Sequence, residues 1–181
     1  MPSVFTHAAV PLALWYASER GRVSGRLLAA GVAAAMLPDA DVLAFALHIP
    51  YADAFGHRGA SHSLLFAGLL AALALAFARQ LRAGRLQALA FVFLCALSHP
   101  LLDALTSGGL GVALWWPWSE QRLFAPWRPI RVSPFANNFF SARGLQTVLS
   151  ELRWVWLPLA LACMGWKVIQ SPRGRRTGAD T

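Results

Sequence analysis

Apolar residues fall into five long runs along this chain, and each run has the composition of a helix. The runs cover residues 4–17, 27–47, 61–78, 86–106 and 154–169. A hydrocarbon core of about 30 Å needs roughly 20 helical residues, so the first run is short for a crossing. Ser61 stands where a helix N-cap is expected, which puts His62 in the first turn of the third helix.

In the stretch between the fourth and fifth runs, the apolar residues show no regular helical or strand spacing. Residues 107–152 are rich in Gly, Pro, Trp and Arg, and they predict a long, irregular outer loop with short interfacial pieces. Its tryptophans suit the headgroup level of a bilayer: Trp115, Trp116, Trp118 and Trp127. The pattern predicts an all-α, polytopic membrane bundle of about four to five helices, as one domain over residues 1–170. We expect residues 171–181 to be a basic, disordered, cytoplasmic tail.

The composition indicates that much of the apolar surface of this chain contacts lipid instead of water. The chain is 57% hydrophobic and 13% charged, whereas soluble domains carry roughly 25% charged residues. A net charge of +8 is also typical of nucleic-acid binding. Here, however, the basic residues lie between apolar runs without interleaved aromatic residues, so no nucleic-acid partner is expected.

The same basic residues predict an orientation. The connections after the first and third runs, and the tail, carry ten of them: Arg20, Arg22, Arg26, Arg79, Arg82, Arg85, Lys167, Arg173, Arg175 and Arg176. The positive-inside rule places these residues on the cytoplasmic side. The other two connections then face outward, although the longer one is also basic.

Seven ionisable side chains fall at the outer ends of the predicted helices. They are His7, Asp39, Asp41, His57, His62, His99 and Asp103. Ionisable groups inside spans are costly, so seven at one level predict a shared partner. His99 and Asp103 lie one turn apart on the same helix face, a spacing that suits one ion or two neighbouring ions. This donor set favours Zn²⁺, with Mn²⁺ and Fe²⁺ as alternatives.

Asp39 and Asp41 follow Pro38, where we expect the second helix to break. One carboxylate there would bridge two cations, while the other binds one or orients a histidine. Simpler readings also fit single pieces of the pattern. A His–Asp hydrogen bond explains His99 and Asp103 equally well, and a nearby arginine would pair with the two aspartates. His48 is read as an interface residue and not as a ligand.

Several short segments together resemble a known family. They are His7, L-P-D-A-D (37–41), H-R-G-A-S-H-S (57–63) and S-H-P-L-L-D (98–103). In this order they resemble the membrane-bound metal-dependent hydrolases, also called LexA-binding, inner-membrane-associated hydrolases. The resemblance covers about residues 1–160, including Glu151. It implies a multi-pass protein of the bacterial inner membrane with hydrolytic activity.

That family is distantly similar to the zinc-dependent phospholipase C and P1-nuclease group. His99 and Asp103 match the His-x-x-x-Asp helix of its multi-zinc site. The N-terminal tryptophan that ligates metal in those enzymes is absent here, and either His7 or Glu151 is a hypothetical substitute.

The resulting expectation is a membrane-bound hydrolase that uses two or more divalent ions. Asp39 or Asp41 would act as the bridging or base-like carboxylate, and Arg58 as a phosphate clamp or, equally, a headgroup anchor. A phosphoester or phospholipid-like substrate at the periplasmic face suits this location. Arg122, Arg128 and Arg131 would bind or anchor to anionic headgroups.

Two other classes of function compete with hydrolysis. A transporter would place polar residues near the midplane on a path open to both sides, whereas these lie at one end. A non-catalytic regulatory or scaffold protein with a structural metal site would need a protein partner and a larger cytoplasmic surface than these short connections provide.

Overall fold

The computed structural model describes residues 1–134 and 139–170, and this part of the chain is helical. Its α-helices are α1 (Val4–His7), α2 (Ala9–Ala17), α3 (Gly25–Met36), α4 (Leu43–Ala46), α5 (Leu64–Ala76), α6 (Arg85–Ala104), α7 (Ala142–Glu151) and α8 (Leu157–Gln170). Short 3₁₀-helices cover Leu37–Val42 and Ala60–His62, and a π-helix covers Leu152–Trp156. Within the described residues the β-structure consists of two isolated bridges. The predicted all-α bundle is confirmed.

Three helical stretches among these residues are long and apolar enough to cross a membrane. They are Gly25–Ala46, Arg85–Ala104 and Ala142–Gln170. Val4–Ala17 and Leu64–Ala76 are apolar but shorter. The first run is therefore short, as expected, and so is the third.

Small residues hold the centre of the bundle together, where α3, α5 and α6 pack. Their buried contacts include Leu27, Ala34, Ala35, Ala67, Ala74, Ala88, Phe91, Val92, Cys95 and Ala96. Gly31 marks a close approach of α3 and α6, since an added Cβ would lie 2.5 Å from Phe91 Cε1 and 2.9 Å from Cys95 Sγ. Such residues let helix backbones approach where lipid provides no hydrophobic drive.

The polar connections collect at the two ends of the bundle. At one end, Arg26 donates to the carbonyl of Gln80 at 3.1 Å, and Lys167 Nζ donates to the carbonyl of Ser18 at 2.8 Å. The first bond joins the start of α3 to the connection after α5, and the second joins the connection after α2 to α8. The basic connections therefore lie together, as the alternating arrangement requires.

At the opposite end, the region after α6 folds back over the loop that precedes α5. The backbone of Ala113 donates to Arg58 O at 3.0 Å, and Leu64 donates to Leu114 O at 3.0 Å. Arg122 reaches back to the carbonyl oxygens of Tyr51, Asp53 and His57. Residues 105–134 thus form an ordered cover, and Arg122 contacts protein carbonyls instead of serving only as a headgroup anchor.

The predicted cap of the third helix is wrong. Ser63 is the N-cap, and its Oγ accepts from the backbone of Phe66 at 3.1 Å. The 3₁₀ turn Ala60–His62 comes first, so His62 precedes the helix instead of lying in its first turn. Ser61 is left to donate to Asp41 Oδ2 at 2.7 Å.

The prediction of an irregular region over 107–152 is wrong at its C-terminal end, where α7 forms. Gly144, Thr147 and Glu151 lie at helical spacing and are buried, while Leu145 and Leu149 are exposed. The polar face points inward, which hides α7 from a search for apolar runs. The tail prediction for residues 171–181 lies outside the described residues.

Candidate metal centre

Four buried side chains converge between α3, α5 and α6. One ligand atom from each of Asp39, His62, His99 and Asp103 lies within 4.8 Å of the others. Two 3₁₀ turns supply Asp39 and His62, and α6 supplies His99 and Asp103. The breaks before Asp39 and after His62 turn these side chains toward the second half of α6.

The hydrogen bonds of His99 fix its protonation. Its Nδ1 lies 2.7 Å from the carbonyl oxygen of Ala35. A carbonyl oxygen only accepts, so Nδ1 carries the hydrogen and, in the neutral ring, Nε2 carries a lone pair. Pro38 has no N–H to offer this carbonyl in the 3₁₀ turn, which leaves the oxygen available to His99.

His62 is held in the same way. Its Nδ1 lies 3.1 Å from Asp41 Oδ2, an acceptor, so its Nε2 also carries a lone pair when the ring is neutral. The two Nε2 atoms of His62 and His99 face each other at 3.0 Å. In these tautomers two lone pairs face each other and repel, and a metal ion or a proton beside or between them removes the repulsion.

The two carboxylates add further electron-pair donors. Asp39 Oδ1 lies 3.4 Å from His99 Nε2, and Asp103 Oδ2 lies 3.3 Å from His62 Nε2. None of the four oxygens of Asp39 and Asp103 has a hydrogen-bond partner among the described residues, although Asp103 Oδ2 forms an ion pair with Arg58 Nε at 2.9 Å. A buried carboxylate without a partner, such as that of Asp39, is costly. The donor set therefore fits a divalent cation.

A proton is the competing cation at this position. Burial lowers the pKa of His62, but the neighbouring carboxylates of Asp103 and Asp41 raise it further, to about 9. The same negative charges that attract a metal ion thus attract a proton when no metal is bound.

Asp41 and His57 lie outside the four-residue group, so the prediction that both ligate metal directly does not match this geometry. Asp41 accepts from His57 Nδ1 at 2.5 Å and from the backbone of Arg58 at 2.9 Å. With the contact to His62, its carboxylate orients two imidazole rings. Of the alternatives that the sequence left open for this carboxylate, the structure favours orienting a histidine.

His7 lies on the other side of the group. Its ring stacks on His99, with centroids 3.7 Å apart, and neither ring nitrogen has a hydrogen-bond partner among the described residues. Its Nε2 lies 3.7 Å from Asp39 Oδ2 and 3.6 Å from Asp103 Oδ1. The structure therefore brings all seven predicted side chains into one network.

Arg58 has a different role from the predicted phosphate clamp or headgroup anchor. Its side chain is 0% exposed, and its Nε lies 2.9 Å from Asp103 Oδ2 in an ion pair. The other guanidinium nitrogens donate to Thr106 Oγ1 and the Gly108 carbonyl, each at 3.0 Å. The guanidinium offers no open face to a ligand, and instead it compensates the charge of Asp103.

Glu151 also departs from its hypothetical role as a ligand. Its carboxylate accepts from the backbone of Ser3 at 2.5 Å, from Ser3 Oγ at 2.6 Å and from Thr6 Oγ1 at 2.8 Å. Trp156 Nε1 donates to the same Thr6 hydroxyl at 3.0 Å. Glu151 thus holds α1, and with it His7, in place. Sequence reasoning missed Ser3 and Thr6, which carry no signal beyond their hydroxyl groups.

The fold defines a helical membrane protein with a buried His/Asp group near one end of the bundle. The chain belongs to the YdjM inner membrane protein family, whose defining pattern matches residues 1–174. It is 46% identical over 171 residues to inner membrane protein YbcI of Escherichia coli (strain K12). The aligned region covers 92% of this chain and 99% of that protein. No solved structure matches the chain.

These similarities and the apolar helices establish an inner-membrane protein in contact with the lipid bilayer. The expected membrane family and location are confirmed. Neither name states an activity, so hydrolysis and the similarity to phospholipase C and P1 nuclease stay predictions.

Proposed function

We propose that this chain is a membrane-bound, metal-dependent hydrolase of lipid-like phosphoesters. The observation that carries the proposal is the pair of imidazole Nε2 atoms 3.0 Å apart, flanked by the buried carboxylates of Asp39 and Asp103. This set of electron-pair donors fits a divalent cation, and imidazole and carboxylate ligands favour Zn²⁺.

The residues around such a cation would have different roles. Asp39, His62, His99 and Asp103 would hold it. A bound divalent cation supplies a lower pKa for water and stabilises charge on a phosphoryl oxygen. Asp41 and the Ala35 carbonyl orient the two histidines, and Arg58 balances Asp103. An attacking water would form the new P–O bond as the bond to the alcohol breaks, and its proton would pass to the departing alcohol oxygen.

A cavity beside Asp39 supports a lipid-like substrate. Its volume is about 410 Å³, and Asp39 is the only acidic side chain in its described lining. The remaining walls include Pro2, Val4, Phe5, Val42 and Phe140. The apolar chain of a lipid-like substrate would pack against these walls, next to Asp39, whose two carboxylate oxygens are themselves buried.

The placement of the group weighs against transport. All four members are buried and lie toward one end of the bundle, opposite the joined basic connections. A substrate pathway would need polar groups leading on toward that other end. The positive-inside rule puts the group toward the periplasmic side as part of this proposal.

Elemental analysis of the detergent-purified protein tests the proposal. We expect stoichiometric metal in the wild type, a loss in His99→Ala and no change in His48→Ala, because His48 is exposed and lies outside the network. The loaded protein should then cleave a phosphodiester substrate, and His99→Ala should not. A wild-type protein without metal, or a loaded protein inactive on phosphodiester, phosphomonoester and acyl substrates, would contradict the proposal.

A further inference from the structure

His7 lies beside the carboxylates of Asp39 and Asp103, with its ring stacked on that of His99. Both its ring nitrogens are buried and lack hydrogen-bond partners among the described residues. Its Nε2 lies 3.7 Å from Asp39 Oδ2 and 3.6 Å from Asp103 Oδ1. A buried imidazole without a hydrogen bond is costly unless another group, such as a cation, satisfies it.

The two carboxylates each divide their oxygens between two sides. Asp39 directs Oδ1 to His99 and Oδ2 to His7. Asp103 directs Oδ2 to His62 and Oδ1 to His7. A carboxylate with each oxygen near a different imidazole is placed to bridge two cations, as in two-metal sites.

We propose that His7, Asp39 Oδ2 and Asp103 Oδ1 form a second divalent-cation position, bridged to the first by the two aspartates. This inference rests on the proposed function and specifies the ion count of its site. Asp41, which the sequence offered as an alternative bridge, is committed to His57 and His62.

The charges of the site predict when the second position fills. Three buried carboxylates, on Asp39, Asp41 and Asp103, oppose one buried guanidinium, that of Arg58. With neutral imidazoles and an unprotonated N-terminal amine, which lies 4.0 Å from Asp103 Oδ1, one divalent cation balances this set. A second cation then leaves two positive charges in excess, which is costly in a buried site. A dianionic phosphomonoester or inorganic phosphate restores the balance and a phosphodiester halves the excess, so the second cation and the anion should bind together.

Manganese titration of the metal-free, detergent-purified chain, with and without inorganic phosphate, tests this inference. We expect wild type with phosphate to bind two Mn²⁺ ions per chain, with an electron paramagnetic resonance spectrum of spin-coupled ions. His7→Gln should bind one uncoupled ion, whereas His48→Gln should behave as wild type. Phosphate should raise the affinity for the second ion by roughly 5–150-fold, the usual range of coupling between sites.

The outcomes separate this inference from the proposed function. A wild type that binds a single ion with phosphate present, or a His7→Gln variant that still binds two coupled ions, overturns the second position and leaves the first. A wild type that binds no ion overturns both. One retained ion in His7→Gln also shows that the variant is folded.

Discussion

Each histidine of the metal group has one nitrogen committed to the protein and the other turned to the site. The Ala35 carbonyl commits His99, and the Asp41 carboxylate commits His62. An ion that binds here meets rings already in the correct tautomer and orientation. Such outer partners typically contribute 10–100-fold to metal affinity.

Replacing Asp41 with Asn tests this role. The amide keeps the size of the side chain but loses the charge that fixes His57 and His62, so we expect metal affinity to fall roughly 10–100-fold with unchanged stoichiometry. Competition with a chromophoric chelator measures the affinity. Asp53→Asn is the matched control, because the Asp53 carboxylate is exposed and accepts from the Phe55 backbone. Loss of one bound ion in Asp41→Asn would instead make Asp41 a direct ligand.

The sequence was sufficient to find the members of the site but not their roles. The positions of seven side chains along the predicted helices put them all at the same end of the bundle, and the structure places them in one network. Which oxygen faces which nitrogen depends on the 3₁₀ turns around Asp39 and His62, which a periodic pattern does not encode. Arg58 reads as a surface cation in sequence and becomes a buried counter-ion only because residues 105–134 fold over it.

At the level of helices, close approach between α3 and α6 sets the geometry of the group. Ala35 on α3 and His99 on α6 are joined by a hydrogen bond, and Gly31 lies one turn earlier against Phe91 and Cys95. The apolar pattern predicted both helices and the break at Pro38. It did not predict α7, whose polar residues face inward, or the start of α5 at Leu64.

Gly31→Leu should therefore destabilise the bundle. The new side chain would overlap Phe91 and Cys95, and overpacking of this kind typically costs about 1–3 kcal/mol. Gly68→Leu on α5 is the control, since an added Cβ there meets nothing within 4 Å. Denaturant unfolding in detergent measures both variants. Equal stability of the two would contradict the close α3–α6 contact.

For the whole molecule, the bundle has a basic end and a carboxylate-containing end. Arg26 and Lys167 mark the first, and Asp39 and Asp103 mark the second. Sequence alone predicted this polarity, because both the charge of the connections and the depth of the acidic residues follow from the order of the runs.

Reporter fusions after Arg82 and after Ser119 test the orientation. We expect a cytoplasmic reporter to be active at the first site and a periplasmic reporter at the second, because α6 separates them and the positive-inside rule fixes the sign. Fusions after Ser24 supply a second position at the basic end. The same reporter active after both Arg82 and Ser119 would contradict a crossing by α6.

The hydrogen bonds between Glu151 and the N-terminal segment affect the order in which the protein is assembled. Ser3 and Glu151 are 148 positions apart, yet their hydrogen bonds hold α1 and His7 in place. The first helix leaves the ribosome long before this partner exists. The His/Asp group therefore reaches its final form only when nearly the whole chain has been synthesised, and the proposed metal would bind at the end of membrane insertion.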